Sequence, residues 1–470
     1  MKKLAFHVFV FMLLGKSLSF AQIQTPQKNP TFQNFSTVSP SKSYSSTPGN
    51  NTTAKKSNTY GSALQTKNAE NTTYASPDNI YNTLNKNNFL LTSSSSIPNK
   101  SYASIEAVHA VLNDVKQIEP SINYHFPSLQ SKLGYNNFES AFNELSNMLE
   151  GKTPLDLKRA TFITENAYFG NQMNYQDFST SIKEMAMIVR LKMKEKNLSI
   201  KDNDAILYMA HQYFTDTLNV KLPIQEKAIT TYPKQYDFDD PFGYDKPSNV
   251  FVTKLMAENT GQCKSLPLLF LILVKELGGK AYLSFSPSHS FVKCKDKNGV
   301  WFNIELINGM LISDSWIAGS EYVKAEAIRN SIFLDTLNEK QIIAQCLVDL
   351  AQYYSWRYGT YDDFALKCLN KAIEYHSNNI WAIQEKSDYY TMLFKYVSEQ
   401  LHYSSVEQLK HNPKAWELFM QRNRMYALID GLGYQPMPET AYTDWLKTLK
   451  EKQQEQKHQQ QYFQFSKIIH

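Results

Sequence analysis

The sequence predicts an α+β protein in which a small antiparallel sheet, packed on one strongly apolar helix, interrupts a chain that is otherwise helical. Three observations predict it. Apolar residues recur at helical spacing over 104–218 and again over 336–430. The run "SLPLLFLILVKELGG" has the length of one helix and is apolar nearly all round, as a central buried element should be. After it, "KAYLSFSP", "HSFVKCK" and "VWFNIEL" read as strands, the last two joined by "DKNG", whose Asn298-Gly299 pair is a strong hairpin signal.

The N-terminus reads as a signal peptide over 1–21: Lys2 and Lys3, an apolar stretch Leu4–Leu14, then Ser19-Phe20-Ala21 before Gln22. The stretch is too short to span a bilayer, and no cysteine follows to carry a lipid. The expectation is a secreted or periplasmic protein with no integral membrane span after signal cleavage. Removing 1–21, with three lysines and no acid, takes the formal charge from +5 to +2. No block of like charge remains to attract nucleic acid. Residues 22–103 are dominated by Ser, Thr, Asn, Gln and Lys and bury too little apolar surface to offset ordering entropy, so disorder is expected there.

Residues 104–218 read as a helical domain. "NFESAFNELSNMLEG" places Phe138, Ala141, Phe142, Leu145, Met148 and Leu149 on one face. "TPLDLKRATFITENAYFG" opens on Thr153-Pro154, a cap followed by a first-turn proline. His211, inside "DNDAILYMAHQYFTDTL", reads as a satisfied core or surface histidine rather than a ligand. Prolines, Gly243 and aspartates then break the pattern, with Asp239 and Asp240 as turn formers beside Pro241. Nearby Tyr232, Tyr236, Phe238, Phe242 and Tyr244 read either as a groove lining or as loop anchors. A helix is expected over about 250–258, and 219–335 is taken as the domain containing the sheet.

Over 336–430 the chain is helical again. Leu350, Ala351, Tyr354, Gly359, Ala365, Leu369 and Ala372 resemble the packing positions of one tetratricopeptide repeat, with one residue inserted after Gly359. That likeness implies a surface for a protein partner. Residues 431–470, which include "KTLKEKQQEQKHQQQYFQF", read as a polar helical tail without an apolar face.

Four cysteines in an exported chain allow two disulfides. Cys346 and Cys368 fall at matching depths on two antiparallel helices and could pair, although small residues at a close helix contact explain them as well. Cys294 reads as a strand residue. No Cys-x-x-Cys or His-Glu-x-x-His is present, so no metal or other cofactor is expected. No phosphate loop, dinucleotide fingerprint or nucleophile-elbow serine is found.

Cys263 has a different setting. It follows Thr260-Gly261-Gln262 and immediately precedes the apolar helix, whose Pro267 falls in the tolerant first turn and whose Gly278-Gly279 ends it. A cysteine at a helix N-terminus is favoured as thiolate by free N–H groups and the dipole. The same region supplies oxyanion donors, with Gln262 and Cys263 as candidates. His289 opens the second strand, and Trp301, Asn303 and Glu305 share one face of the third. Cysteine, histidine and a polar orienter in this order suit nucleophilic acyl chemistry: the imidazole takes the thiol proton and the third group fixes its tautomer.

At these residues the chain resembles the transglutaminase-like superfamily. "GQCKSLP", the histidine of "SHSFVK" and the strand "VWFNIEL" are similar to its papain-like core over roughly 235–310. The resemblance implies Cys263 as nucleophile, His289 as base and Glu305 as orienter, with Asn303 the alternative. The family's aspartate is here Glu305, and its tryptophan after the cysteine is Lys264, which argues against crosslinking of the animal type. The expected function is an exported cysteine-dependent amidase or peptidase acting on a peptide or protein substrate through a thioester. The alternatives are a non-catalytic module that binds peptide or glycan, with the helical flanks as partner surface, and a structural part of a secreted assembly.

Overall fold

The computed structural model describes residues 122–455, apart from 222–227, 242, 244, 404, 439 and 453. The expected signal peptide, the segment 22–103, residues 104–121 of the expected helical domain, Phe242, Tyr244 and the chain beyond 455 lie outside the described residues. The chain is α+β, and it divides into two compact units.

The larger unit opens with α1 (Tyr135–Leu149), α2 (Leu157–Tyr168), α3 (Tyr175–Glu195) and α4 (Asn203–Thr215). The expected stripe of α1, Phe138 to Leu149, is buried throughout. Helix α2 starts later than Thr153-Pro154 suggested. Its cap is Asp156, whose side chain accepts the Arg159 N–H at 3.0 Å, so the proline lies before the helix. A hairpin of β1 (Leu218–Lys221) and β2 (Ala228–Thr231) follows, then β3 (Gln235–Tyr236), a 3₁₀ turn at Pro247–Val250 and α5 (Val252–Glu258). The start of α5 is capped from α2: the buried Glu165 carboxylate accepts the N–H groups of Val252 at 2.7 Å and Thr253 at 2.9 Å.

Strand β4 (Thr260–Gly261) pairs in parallel with β3 and leads into α6 (Ser265–Leu277), buried along nearly its whole length. Gly278 ends α6 at φ 90°, the left-handed position that glycine adopts without cost. Strands β5 (Tyr282–Ser286), β6 (His289–Lys295), β7 (Trp301–Glu305) and β8 (Met310–Ile312) form an antiparallel meander in chain order, with α6 against β5 and β6. The register sets Ser286 opposite His289, Lys293 opposite Asn303, and Glu305 opposite Met310.

Short helices α7 (Asp314–Ser320) and α8 (Ala325–Arg329) precede the hairpin of α9 (Glu339–Tyr358) and α10 (Asp363–Tyr375). The repeat-like positions Leu350, Ala351, Tyr354, Ala365, Leu369 and Ala372 are buried, and Gly359 caps α9 at φ 70°. Because α9 packs its apolar surface on α1 and α2, most of 336–430 joins 125–335 in this one unit instead of forming a separate body. Cys346 and Cys368 are buried thiols, as is Cys294, and none is in a disulfide. His211 donates its Nε2–H to the Gly309 carbonyl at 2.8 Å, tying α4 to the β7–β8 turn.

Helix α11 (Ile380–Leu401) and helix α13 (Pro413–Gly431) each run from one unit into the other. The second unit includes 393–420, with α12 (Val406–Lys410) started by a capping box of Ser405 and Gln408, and Phe394 packed on Phe419.

Residues 440–452 form α14, part of the larger unit. They correct the expectation of a polar tail. Tyr442, Trp445, Leu446 and Leu449 are buried, an i, i+3, i+4, i+7 stripe that begins before the polar "KTLKEKQQ" and is outnumbered by it.

Candidate active site

The approach to α6 is built by local packing. A Cβ on Gly261 would stand 2.5 Å from Ser265 Oγ, so only glycine lets β4 run this close to the helix start. Ser265 Oγ in turn accepts the Gln262 N–H at 2.9 Å. The Leu266 N–H reaches the Gln262 carbonyl, which makes Cys263 the first residue inside the helical turn. Ser290 Oγ donates to the Cys263 carbonyl at 2.6 Å, holding the cysteine backbone on β6 beside His289. Lys264 points the other way, forming a 2.7 Å ion pair with Asp349 of α9 and lying over the Tyr353 ring.

The three sequence candidates meet. His289 Nε2 stands 2.6 Å from Glu305 Oε2, both side chains almost wholly buried, and the Cys263 side chain lies near the same imidazole, whose buried Nδ1 has no hydrogen-bond partner among the described residues. Glu305 is itself oriented, because its Oε1 accepts the Ile307 N–H at 2.8 Å. With the carboxylate on Nε2, that nitrogen carries the proton and buried Nδ1 is the basic one. Burial alone would push the His289 pKa down. The Glu305 charge first, then the nearby Cys263 side chain, the Glu305 hydrogen bond and the Glu321 charge outweigh it, so the net shift is well upward.

Asn303 does not reach His289. Its amide donates to Asp314 at 2.8 Å and its register partner is Lys293, so Glu305 holds the orienting position. Gln262 has both kinds of donor engaged: its N–H goes to Ser265 and its side-chain amide to the carbonyls of Asp237 and Asp240. Of the two oxyanion candidates, Cys263 is the one whose backbone N–H is not drawn into that lock. Asp240 is a loop organiser, accepting from Asp245, Lys246 and Asn249.

Several residues at the site lay outside the sequence expectation. Tyr442 donates its hydroxyl to Cys263 Sγ at 3.9 Å, and Tyr236 and Tyr442 share a hydroxyl contact at 3.3 Å. Trp445 sets its ring edge to face on His289, with centroids 4.9 Å apart, and its buried Nε1 has no partner. Glu321 is buried beside the Ser286 hydroxyl, and burial raises its pKa to about 7 against the opposing pull of His289. The helical stripe around Trp445 was the one sequence signal for α14. Nothing in the sequence marked Glu321. Of the loop aromatics, Tyr236 and Phe238 pack together at 4.9 Å, whereas Tyr232 is exposed.

Among the described residues no cluster of His, Cys, Asp or Glu is arranged to hold a metal ion, and no helix is long and apolar enough to cross a membrane. No protein-family model, no curated protein and no solved structure matches this chain.

Proposed function

We propose that this chain is a cysteine-dependent acyl-transfer enzyme of transglutaminase-like kind, exported and hydrolysing amide bonds in a peptide or protein substrate. The observation that carries the reading is the buried His289–Glu305 contact at 2.6 Å beside Cys263, whose backbone carbonyl accepts from Ser290, the neighbour of His289.

In this reading the thiol proton already sits on His289 Nδ1, since the Glu305 charge favours the imidazolium, and Cys263 Sγ attacks the carbonyl carbon as a thiolate. That imidazolium is stabilised by the buried Glu305 charge, which needs no reorganisation at the moment of attack. Collapse of the adduct breaks the C–N bond, the leaving amine takes the proton from His289, and a thioester remains. Water, deprotonated by the same imidazole, then releases the acid. Hydrolysis is preferred over transfer because water competes as acceptor wherever a site does not exclude it.

Alkylation by iodoacetamide, followed by mass spectrometry, tests the nucleophile. At neutral pH Cys263 should label faster than Cys294, Cys346 and Cys368, whose thiols burial pushes upward. The advantage should vanish in His289→Ala. Equal labelling of Cys263 in both proteins would sink the reading. A second reading, a non-catalytic binding module, draws on α14, whose Trp445 packs directly against His289.

A further inference from the structure

The aligned Cys263, His289 and Glu305 lack one part: a side-chain donor for the negative oxygen that forms when a carbonyl is attacked. Gln262 is committed to the 237–240 loop. The donor that approaches the sulfur comes from the far end of the chain. We propose that Tyr442 is a catalytic residue of this site, its hydroxyl donating to the oxyanion of the tetrahedral adduct on Cys263, with Tyr236 as its positioning residue.

Three features argue for it. The Tyr442 hydroxyl lies 3.9 Å from Sγ, a long contact for the sulfur itself. The oxygen of an attacked carbonyl is bonded to the atom next to sulfur, so it comes within the reach that the sulfur only just attains. Tyr442 and Tyr236 are both buried, and the contact between their hydroxyls holds the donor in place before any substrate arrives. A donor fixed before the reaction begins is the arrangement that stabilises developing charge.

The phenol also stays protonated. Burial first, then Cys263 and Tyr236, hold its pKa well above the ordinary range, so it donates at any pH where the enzyme works. On the same helix face, the buried and unpartnered Nε1–H of Trp445 sits on a ring packed against His289. An unsatisfied buried donor costs about 1–3 kcal/mol and calls for an acceptor that arrives later. Cys263 as a residue is only half-buried with α14 in position.

The step balances. With the thiol proton held on His289 Nδ1, the S–C bond forms, and the carbonyl π pair moves onto oxygen, where the Tyr442 O–H and the Cys263 N–H receive it. When the C=O bond re-forms, the leaving group departs.

The inference rests on Cys263 being a nucleophile, and the test separates the two. The full chain is acylated with p-nitrophenyl acetate, read as the burst of nitrophenolate, and alkylated in parallel with iodoacetamide. Acylation passes through an oxyanion and alkylation does not. Tyr442→Phe should lower the ratio of acylation to alkylation rate at Cys263 by about a hundredfold, the usual effect of deleting one oxyanion donor. Tyr236→Phe, which leaves the donor in place but loosens it, should lower the ratio by about tenfold, and it keeps the test valid if Tyr442→Phe does not fold. An unchanged ratio in both variants overturns the inference while leaving the nucleophile intact. A rise in both rates with the ratio unchanged also overturns it, and makes α14 a cover. A wild-type protein whose Cys263 undergoes neither reaction removes the nucleophile itself.

Discussion

His289 Nε2 and Glu305 Oε2 are 2.6 Å apart inside the protein, with side-chain exposures of 1% and 2%. A buried charge-assisted contact of this kind is sensitive to loss of either partner. Glu305→Gln keeps the shape and removes the charge that raises the His289 pKa, so alkylation of Cys263 at neutral pH should fall markedly. Asn303→Ala should leave that rate unchanged, because its amide serves Asp314. Equal losses in the two variants would reject Glu305 as the orienter.

Glu321 should make stability depend on pH. Burial raises its pKa from 4.5 to about 7, so the folded state holds the proton more tightly than the unfolded chain. The stability it contributes is therefore complete below 4.5 and is lost as pH rises through about 7. Relative to Glu321→Gln, the wild type should lose up to about 3 kcal/mol across that window. Urea unfolding of both proteins at several pH values measures the difference, and parallel curves would contradict it.

Gly261 is irreplaceable by alanine without movement of Ser265 or Leu255, whose side chains come within 2.5 and 3.1 Å of the added carbon. Overpacking of this kind should cost about 1–3 kcal/mol. Since Ser265 also holds the Gln262 N–H, Gly261→Ala should slow Cys263 alkylation as well as lower the thermal midpoint. A stable variant with normal labelling would show that β4 has slack.

Leu449, 1% exposed, anchors the last buried turn of α14. Leu449→Ala should lower unfolding free energy by about 2–5 kcal/mol if α14 unfolds with the rest of its unit. If α14 opens separately, hydrogen exchange over 440–452 should accelerate while the global midpoint stays put. Unchanged exchange together with an unchanged midpoint would mean that the stripe contributes nothing.

Part of the fold was legible because it is local. The apolar stripe of α1, the buried run of α6, the Asn298-Gly299 turn and the alternation of β6 and β7 are all short-range patterns. The start of α2 was misplaced because Asp156 outcompeted Thr153-Pro154 for the cap. Helix α14 was misread because four apolar residues were judged together with a long polar continuation.

What the sequence alone determined is the order of elements and the order of chemistry within them: a cysteine at a helix start, a histidine opening a strand, a carboxylate on the next. Tertiary structure decided the rest. Alternation puts Asn303 and Glu305 on one face without saying which meets His289, and only the register of β6 with β7 and the turn after Glu305 separate them. Tyr442 is 179 residues from the sulfur it touches, and no local pattern encodes such a distance. It arrives because the apolar face of α14 must be buried, and the hydrophobic effect selects a surface without regard to separation along the chain.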